Sequence, residues 1–285
     1  MEEAVTLSSG RTVMTSQYGD PQGSPVIFHS GSPSTRFKRP EFDRAARDAG
    51  ALLLVPDRPG YGRSTQQPGR TVADAARDVA ELADHHGWQQ FAIAGGSGGG
   101  PHALACAALL HDRVTRCALA AGICPPDITE AEPADDDPDP CHNRTAWLAA
   151  HDPTALRAQL VQTGLTILAA AKAGGPELPP EPGAPDAGRA LDDPQAMMRL
   201  RATFTDSIDG WLDDNIAFGL PWGFAVHEIT APVSLRFGDQ DTRSRRHALV
   251  LQDLIPHSEL QELKGGHLLS EAAFHDLLAC CLDGP

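Results

Sequence analysis

The chain has 285 residues, within the roughly 250–300 that one hydrophobic core can organise, so one domain carrying an insertion is expected. Its 41% hydrophobic and 21% charged residues, with 27 Gly and 24 Pro, exclude a disordered, fibrous or disulfide-scaffold chain. The 23 basic residues against 38 acidic ones leave a net charge of −15, which repels phosphate backbones and anionic membranes. A small-molecule substrate is therefore the expected partner, with no nucleic acid and no membrane; a homodimer is compatible with this composition. The opening MEEAVTLSSGRTV is acidic and lacks the apolar run of a signal peptide or anchor, so a cytoplasmic location is expected. The six cysteines contain no CxxC pair and read as reduced thiols.

Short apolar runs alternate with helical patterns along the chain: PVIF at 25–28, ALLLVP at 51–56, FAIAG at 91–95, CALAAG at 117–122 and PVSLRFG at 232–238. Between them, Val72, Ala75, Ala76, Val79, Leu82 and Ala83 keep helical spacing over 71–86, opened by the capping signal Thr71-x-x-Asp74. Apolar strands separated by crossover helices predict a mostly parallel sheet covered on both faces, an α/β domain. The rhythm breaks after Gly122, where seven acidic residues and no basic ones fall between Asp127 and Asp139. A second loose stretch at 174–194, rich in Pro and Gly, reads as an extended linker. One helix is predicted over 197–216, from the spacing of Met197, Leu200, Phe204, Ile208, Trp211, Leu212 and Ile216. The expected organisation is a core of 1–122 and 226–285 with a helical lid inserted at 123–225. After Pro232 come a helix near 243–254, a strand near 258–263 and a closing helix near 268–282.

The segment FAIAGGSGGGPHALACAALL carries the chemistry. An apolar strand ends, Gly95-Gly96-Ser97-Gly98-Gly99 follows, and an Ala/Leu helix begins: this is G-x-S-x-G in strand–turn–helix context. Such a turn exposes the Ser97 hydroxyl, and its glycines leave room for strand and helix to approach. The helix start offers backbone N–H groups to a developing oxyanion. A nucleophilic serine needs a base and a group to orient that base. His267, between Gly265-Gly266 and a helix start, is the candidate base. Asp241 or Asp239, after the strand PVSLRF, is the candidate acid, and Asp241 is better placed if the loop first turns away. For the oxyanion, Gly98 N–H and Ser32 N–H are the candidate donors, Ser32 lying in the small-residue loop His29-Ser30-Gly31-Ser32-Pro33. His29 and the aromatics Trp147, Phe204, Trp211 and Trp222 are candidate substrate-pocket residues, because an apolar lid over a polar catalytic edge fits a hydrophobic substrate.

With these segments in order, the sequence resembles the α/β-hydrolase superfamily. HSGSPSTR at 29–36 is similar to the family's H-G-x-P-G-S loop, and PDRPGYGRS at 56–64 to its D-x-x-G-x-G-x-S turn. GGSGGG at 95–100 is similar to the nucleophile elbow, and GDQD at 238–241 with GGH at 265–267 to the acid and base positions. The resemblance implies an eight-stranded, mostly parallel sheet with helices on both faces and an inserted helical cap. It also implies acyl-enzyme chemistry by a Ser97, Asp241 and His267 triad, with no cofactor and no metal. The expected activity is hydrolysis of a small hydrophobic ester, lactone or thioester. The same triad could instead serve a lyase, cyclase or acyltransferase, or be retained in a ligand-binding homologue. Two features depart from the pattern: Ser30-Gly31 stands where relatives have His-Gly, and Gly98 follows the nucleophile where many members carry a bulkier residue, a Trp in prolyl aminopeptidases.

Overall fold

The computed structural model describes residues 1–127, 131–134, 137, 139–173, 194–205 and 207–282. Eight strands form one sheet: β1 (Glu2–Thr6), β2 (Thr12–Gly19), β3 (Ser24–His29), β4 (Ala51–Pro56), β5 (Phe91–Gly96), β6 (Val114–Ala120), β7 (Val233–Gly238) and β8 (Ser258–Leu263). Their order is β1-β2-β4-β3-β5-β6-β7-β8. β1 and β2 pair antiparallel and β2 joins β4 antiparallel, while the remaining neighbours are parallel. The N-terminal pair is the part of the sheet that the apolar runs did not individually foretell, since β1 and β2 carry Glu, Thr and Ser among their apolar residues.

Alternation along each strand builds a core on either face of the sheet. Ile27, Leu54, Ile93, Leu119 and Leu235 pack toward α2 (Asp74–His85), α3 (Gly100–Leu109) and α8 (Thr242–Leu254). Val26, Phe28, Leu53, Val55, Ala94 and Ala120 pack toward α1 (Pro40–Asp48) and α9 (Glu271–Leu282). Thr71 opens the α2 region as its sequence implies, its N–H and hydroxyl both donating to Asp74 Oδ2, at 2.8 and 3.0 Å. The closing helix starts later than residue 268. Ser270 is the reason: its side chain accepts from Ala273 N–H at 3.1 Å and its carbonyl from Phe274 N–H at 2.9 Å, leaving His267 to Leu269 in a loop.

Between β6 and β7 lie α4 (Pro140–His151), α5 (Pro153–Ala173), α6 (Pro194–Thr203) and α7 (Asp209–Gly219). They share an apolar cluster in which Leu148, Leu156, Leu160, Phe204, Trp211 and Leu212 are buried together with Tyr61 of the body. The helix expected over 197–216 is two helices. The chain turns after Thr203 because that residue's carbonyl accepts from Gly62 N–H of the body at 3.1 Å. α7 then starts with Gly210 against Gly60, so close that a Cβ on Gly60 would lie 2.7 Å from Gly210 Cα. Ala217, Phe218 and Trp222 leave the helical cluster and join the core of the sheet. Most of the proline-rich stretch 174–194 and part of the acidic run 127–139 lie outside the described residues. Among the described residues, no helix is long and apolar enough to cross a membrane.

Candidate active site

β5 runs buried from Phe91 to Gly95 between β3 and β6 and delivers Ser97 at its carboxyl end. Ser97 has φ of +50°, a left-handed conformation that a non-glycine residue adopts only where its surroundings hold it there. The flanking glycines are required by distance. A Cβ on Gly95 would lie 2.5 Å from the Gly99 carbonyl oxygen, and one on Gly99 would lie 2.0 Å from that of His29. Strand, turn and the start of α3 therefore touch backbone to backbone.

The hydroxyl of Ser97 is 3.0 Å from His267 Nε2, and His267 Nδ1 is 2.6 Å from Asp241 Oδ2. With Nδ1–H donating to Asp241, Nε2 presents its lone pair to the serine hydroxyl. Asp241 is buried at 1% exposure. Its Oδ1 accepts from Ser244 N–H at 3.0 Å, so the carboxylate both caps α8 and faces the imidazole. Burial pushes its carboxyl up, but the hydrogen bonds from His267 and Ser244 outweigh that and hold it below the usual carboxylate range. Asp239, the other carboxylate of GDQD, points elsewhere: it pairs with Lys264 at 3.0 Å and accepts from Gly265 N–H at 3.0 Å. Its work is to tie the β7 loop to the β8 loop.

Ser32 and Gly98 are brought together. A Cβ on Gly98 would lie 2.8 Å from Ser32 Cβ and 3.2 Å from the ring of Phe218, and one on Gly31 would lie 3.4 Å from Ser97 Cβ. The loop after β3 thus folds over the serine, with Phe218 of α7 beside it. The pocket residues are distributed differently. The His29 ring is buried against α3, at 5.8 Å from the His102 ring and 4.0 Å from Cys106 Sγ, because β3 alternation turns it into the core. Trp147 stacks on His151 of its own helix at 5.0 Å, and Phe204 and Trp211 are buried in the helical cluster. Trp222 belongs to the sheet's core, its indole N–H donating to Phe218 carbonyl oxygen at 3.3 Å. Among the aromatics of the inserted helices, Phe218 is one that reaches the turn beside the serine.

A cluster of five polar residues, Asp214, Arg58, Arg70, Tyr61 and His102, to which the sequence assigned no role in the site, lies beside the loop. Asp214 of α7, fully buried, accepts from Arg58 at 2.7 Å, Arg70 at 2.7 Å and the Tyr61 hydroxyl at 2.8 Å, and lies 3.3 Å from His102 Nε2. Arg58 donates to the carbonyl oxygens of Ser30 and, at 2.9 Å, Gly31, while the Tyr61 and Ser32 hydroxyls are 2.8 Å apart. Burial pushes the Asp214 carboxyl up, and the guanidinium groups of Arg58 and Arg70 overcome it, holding the group well below the usual carboxylate range. The signal was present: Trp211, Asp214 and Phe218 share one helix face, so a carboxylate sits on an apolar stripe. Arg58 and Tyr61 lie inside the glycine turn at 56–64, at positions its D-x-x-G-x-G-x-S pattern leaves unspecified.

A family model described as the alpha/beta hydrolase fold matches residues 24–159. Over this stretch the chain matches the α/β-hydrolase family, and its eight-stranded sheet has the α/β-hydrolase fold. An uncharacterized hydrolase of Bacillus subtilis, YcgS, is 30% identical over 122 residues, 42% of this chain and 41% of the relative. A proline iminopeptidase of Arabidopsis thaliana is 31% identical over 123 residues, 40% of this chain and 30% of the relative. The matches thus span about two fifths or less of these curated relatives. The enol-lactonase from Burkholderia xenovorans LB400 superposes with a TM-score of 0.68 at 17% identity, covering 98% of this chain and 99% of that one, a likeness of fold.

Proposed function

We propose that this protein is a serine hydrolase of the α/β-hydrolase superfamily acting on a small hydrophobic ester, lactone or thioester through an acyl-enzyme. The observation that carries the proposal is the continuous relay from Ser97 Oγ through His267 to a buried Asp241, with contacts of 3.0 and 2.6 Å. Ser97 attacks the carbonyl carbon while His267 Nε2 takes its proton. His267 then returns that proton to the leaving alcohol or thiol, and in the second half removes one from the hydrolytic water. Asp241 keeps the imidazole in the required tautomer and stabilises the imidazolium. Gly98 N–H, at the start of the turn into α3, and Ser32 N–H, in the loop that meets Gly98, are assigned as the oxyanion donors. Phe218 beside them gives the acyl site an apolar wall. The helices of 123–225 form the cap of this site, with 1–122 and 226–285 as the body.

Labelling with a fluorophosphonate probe tests the assignment, with Ser97→Ala as control and a chain-length series of nitrophenyl esters to follow. Labelling lost in Ser97→Ala together with ester turnover supports the hydrolase. Labelling without turnover moves the serine to a lyase, cyclase or acyltransferase. A folded protein that takes no label is a ligand-binding homologue instead.

A further inference from the structure

Away from the triad in sequence, three elements bring a thiol and two imidazoles to one point. Cys124 lies in the segment after β6, His142 in the first turn of α4 and His247 in the middle of α8. Cys124 Sγ is 2.9 Å from His247 Nδ1 and 3.8 Å from His142 Nε2, and the three donor atoms all lie within 4.8 Å of one another. The two rings meet edge to face at 4.8 Å. Cys124 and His247 are buried and His142 is half-buried.

The outer nitrogens of both rings are already engaged. His247 Nε2 pairs with the buried Asp139 carboxylate at 2.9 Å, and His142 is hydrogen-bonded to the Pro125 backbone. His247 Nδ1 also accepts from Cys124 N–H at 3.3 Å, which assigns the Nε2–H tautomer. Facing one another at this buried point are His247 Nδ1, His142 Nε2 and the Cys124 sulfur. A carboxylate or carbonyl behind each imidazole is the arrangement that orients histidines on metals. A tetrahedral zinc ion, with Zn–S of about 2.3 Å and Zn–N of about 2.0–2.1 Å, sets S···N separations near roughly 3.5 Å, and the two observed distances bracket that.

We propose that Cys124, His142 and His247 form a binding site for a zinc-class divalent cation. One Cys and two His fit a borderline-soft ion, with the fourth position left to water. On binding, the thiol loses its proton to solvent and the S–metal bond forms in its place, with no change in oxidation state. The ion would pin the first helix of the cap to α8, the helix whose N-terminus is capped by Asp241, and so brace the cap against the body.

The test uses the full chain, stripped with chelator and titrated with Co²⁺ and then Zn²⁺. Expected are one equivalent bound with a Kd below about 1 μM in competition with a chromophoric chelator, a sulfur-to-cobalt charge-transfer band, and a higher Tm with Zn²⁺. Cys124→Ser should abolish the charge-transfer band, and His142→Gln, at a half-buried position, should weaken binding at least tenfold. Retained near-ultraviolet circular dichroism in each variant establishes that it folds. Absence of stoichiometric binding in the folded wild type overturns the proposal. So does binding that persists unchanged in both variants, which would place the ion elsewhere, for instance at the surface trio Glu3, His85 and His86.

Discussion

At the scale of single residues, the assignment rests on which side chains face one another at the carboxyl edge of the sheet. Ser97→Ala should lower ester turnover on the order of 10⁶-fold while leaving the unfolding midpoint within about 1 kcal/mol of wild type, measured by steady-state kinetics and thermal unfolding. The two carboxylates of GDQD separate cleanly. Asp241→Asn should cost about 10⁴-fold in kcat, because the amide favours the wrong imidazole tautomer. Asp239→Asn, which touches Lys264 and Gly265 but not His267, should cost less than about tenfold. A comparable loss in both variants would overturn the choice of acid. Gly98→Ala tests the proposed oxyanion site sterically. Its Cβ has no room between Ser32 and Phe218, so kcat should fall about 10²–10³-fold, the effect of losing one donor, with KM changing less. Sequence spacing alone left Asp239 and Asp241 as alternatives, since both follow the same strand. The choice between them came from the turn Gly238–Asp241, closed by Asp241 N–H to Gly238 carbonyl oxygen at 2.9 Å, and from the capping of α8.

At the scale of elements, α7 ties the helical insertion to the loop that carries Ser32. Asp214 is the common acceptor of Arg58 and Arg70, and Arg58 in turn holds the carbonyls of Ser30 and Gly31. Removing one partner of a buried charge cluster leaves the others uncompensated, so Asp214→Asn should destabilise the fold by about 3–5 kcal/mol, read by urea unfolding. Tyr61→Phe removes only the hydroxyl between Asp214 and Ser32, and should cost about 1–3 kcal/mol. If Asp214→Asn proves neutral to stability, the cluster is not what joins α7 to the loop after β3. The helices themselves were largely legible: α2 and α8 begin within three residues of their expected starts, where Asp74 and Asp241 provide side-chain acceptors. The break between α6 and α7 was not, because Thr203 and Gly210 are held by Gly62 and Gly60 of a distant turn, and helical periodicity carries no record of such a contact.

At the scale of the whole molecule, buried titratable groups predict acid lability. Burial lowers His102 to about 4 from its ordinary 6.5, so between these values the unfolded chain binds the proton and the folded one does not. Stability therefore rises with pH across that window, and is progressively lost as pH falls from about 6.5 toward about 4, by of order 3 kcal/mol for this group. The depressed carboxyls of Asp214 and Asp241 extend the same trend to lower pH. Urea midpoints measured from pH 7.5 to 4 should decline accordingly, and His102→Gln should flatten the slope. The alternation of apolar strands with periodic helices was enough to determine a parallel α/β sheet, and the glycines around Ser97 enough to mark the turn, since both are properties of neighbouring residues in the chain. Tertiary structure alone decided against which helix β3 would bury His29, which aromatic met Gly98, and that Asp214 would reach Arg58 across 156 residues. The physical reason is that backbone periodicity and turn sterics are local, whereas the pairing of buried charges and the lining of a site are set by segments that meet only after the chain has folded.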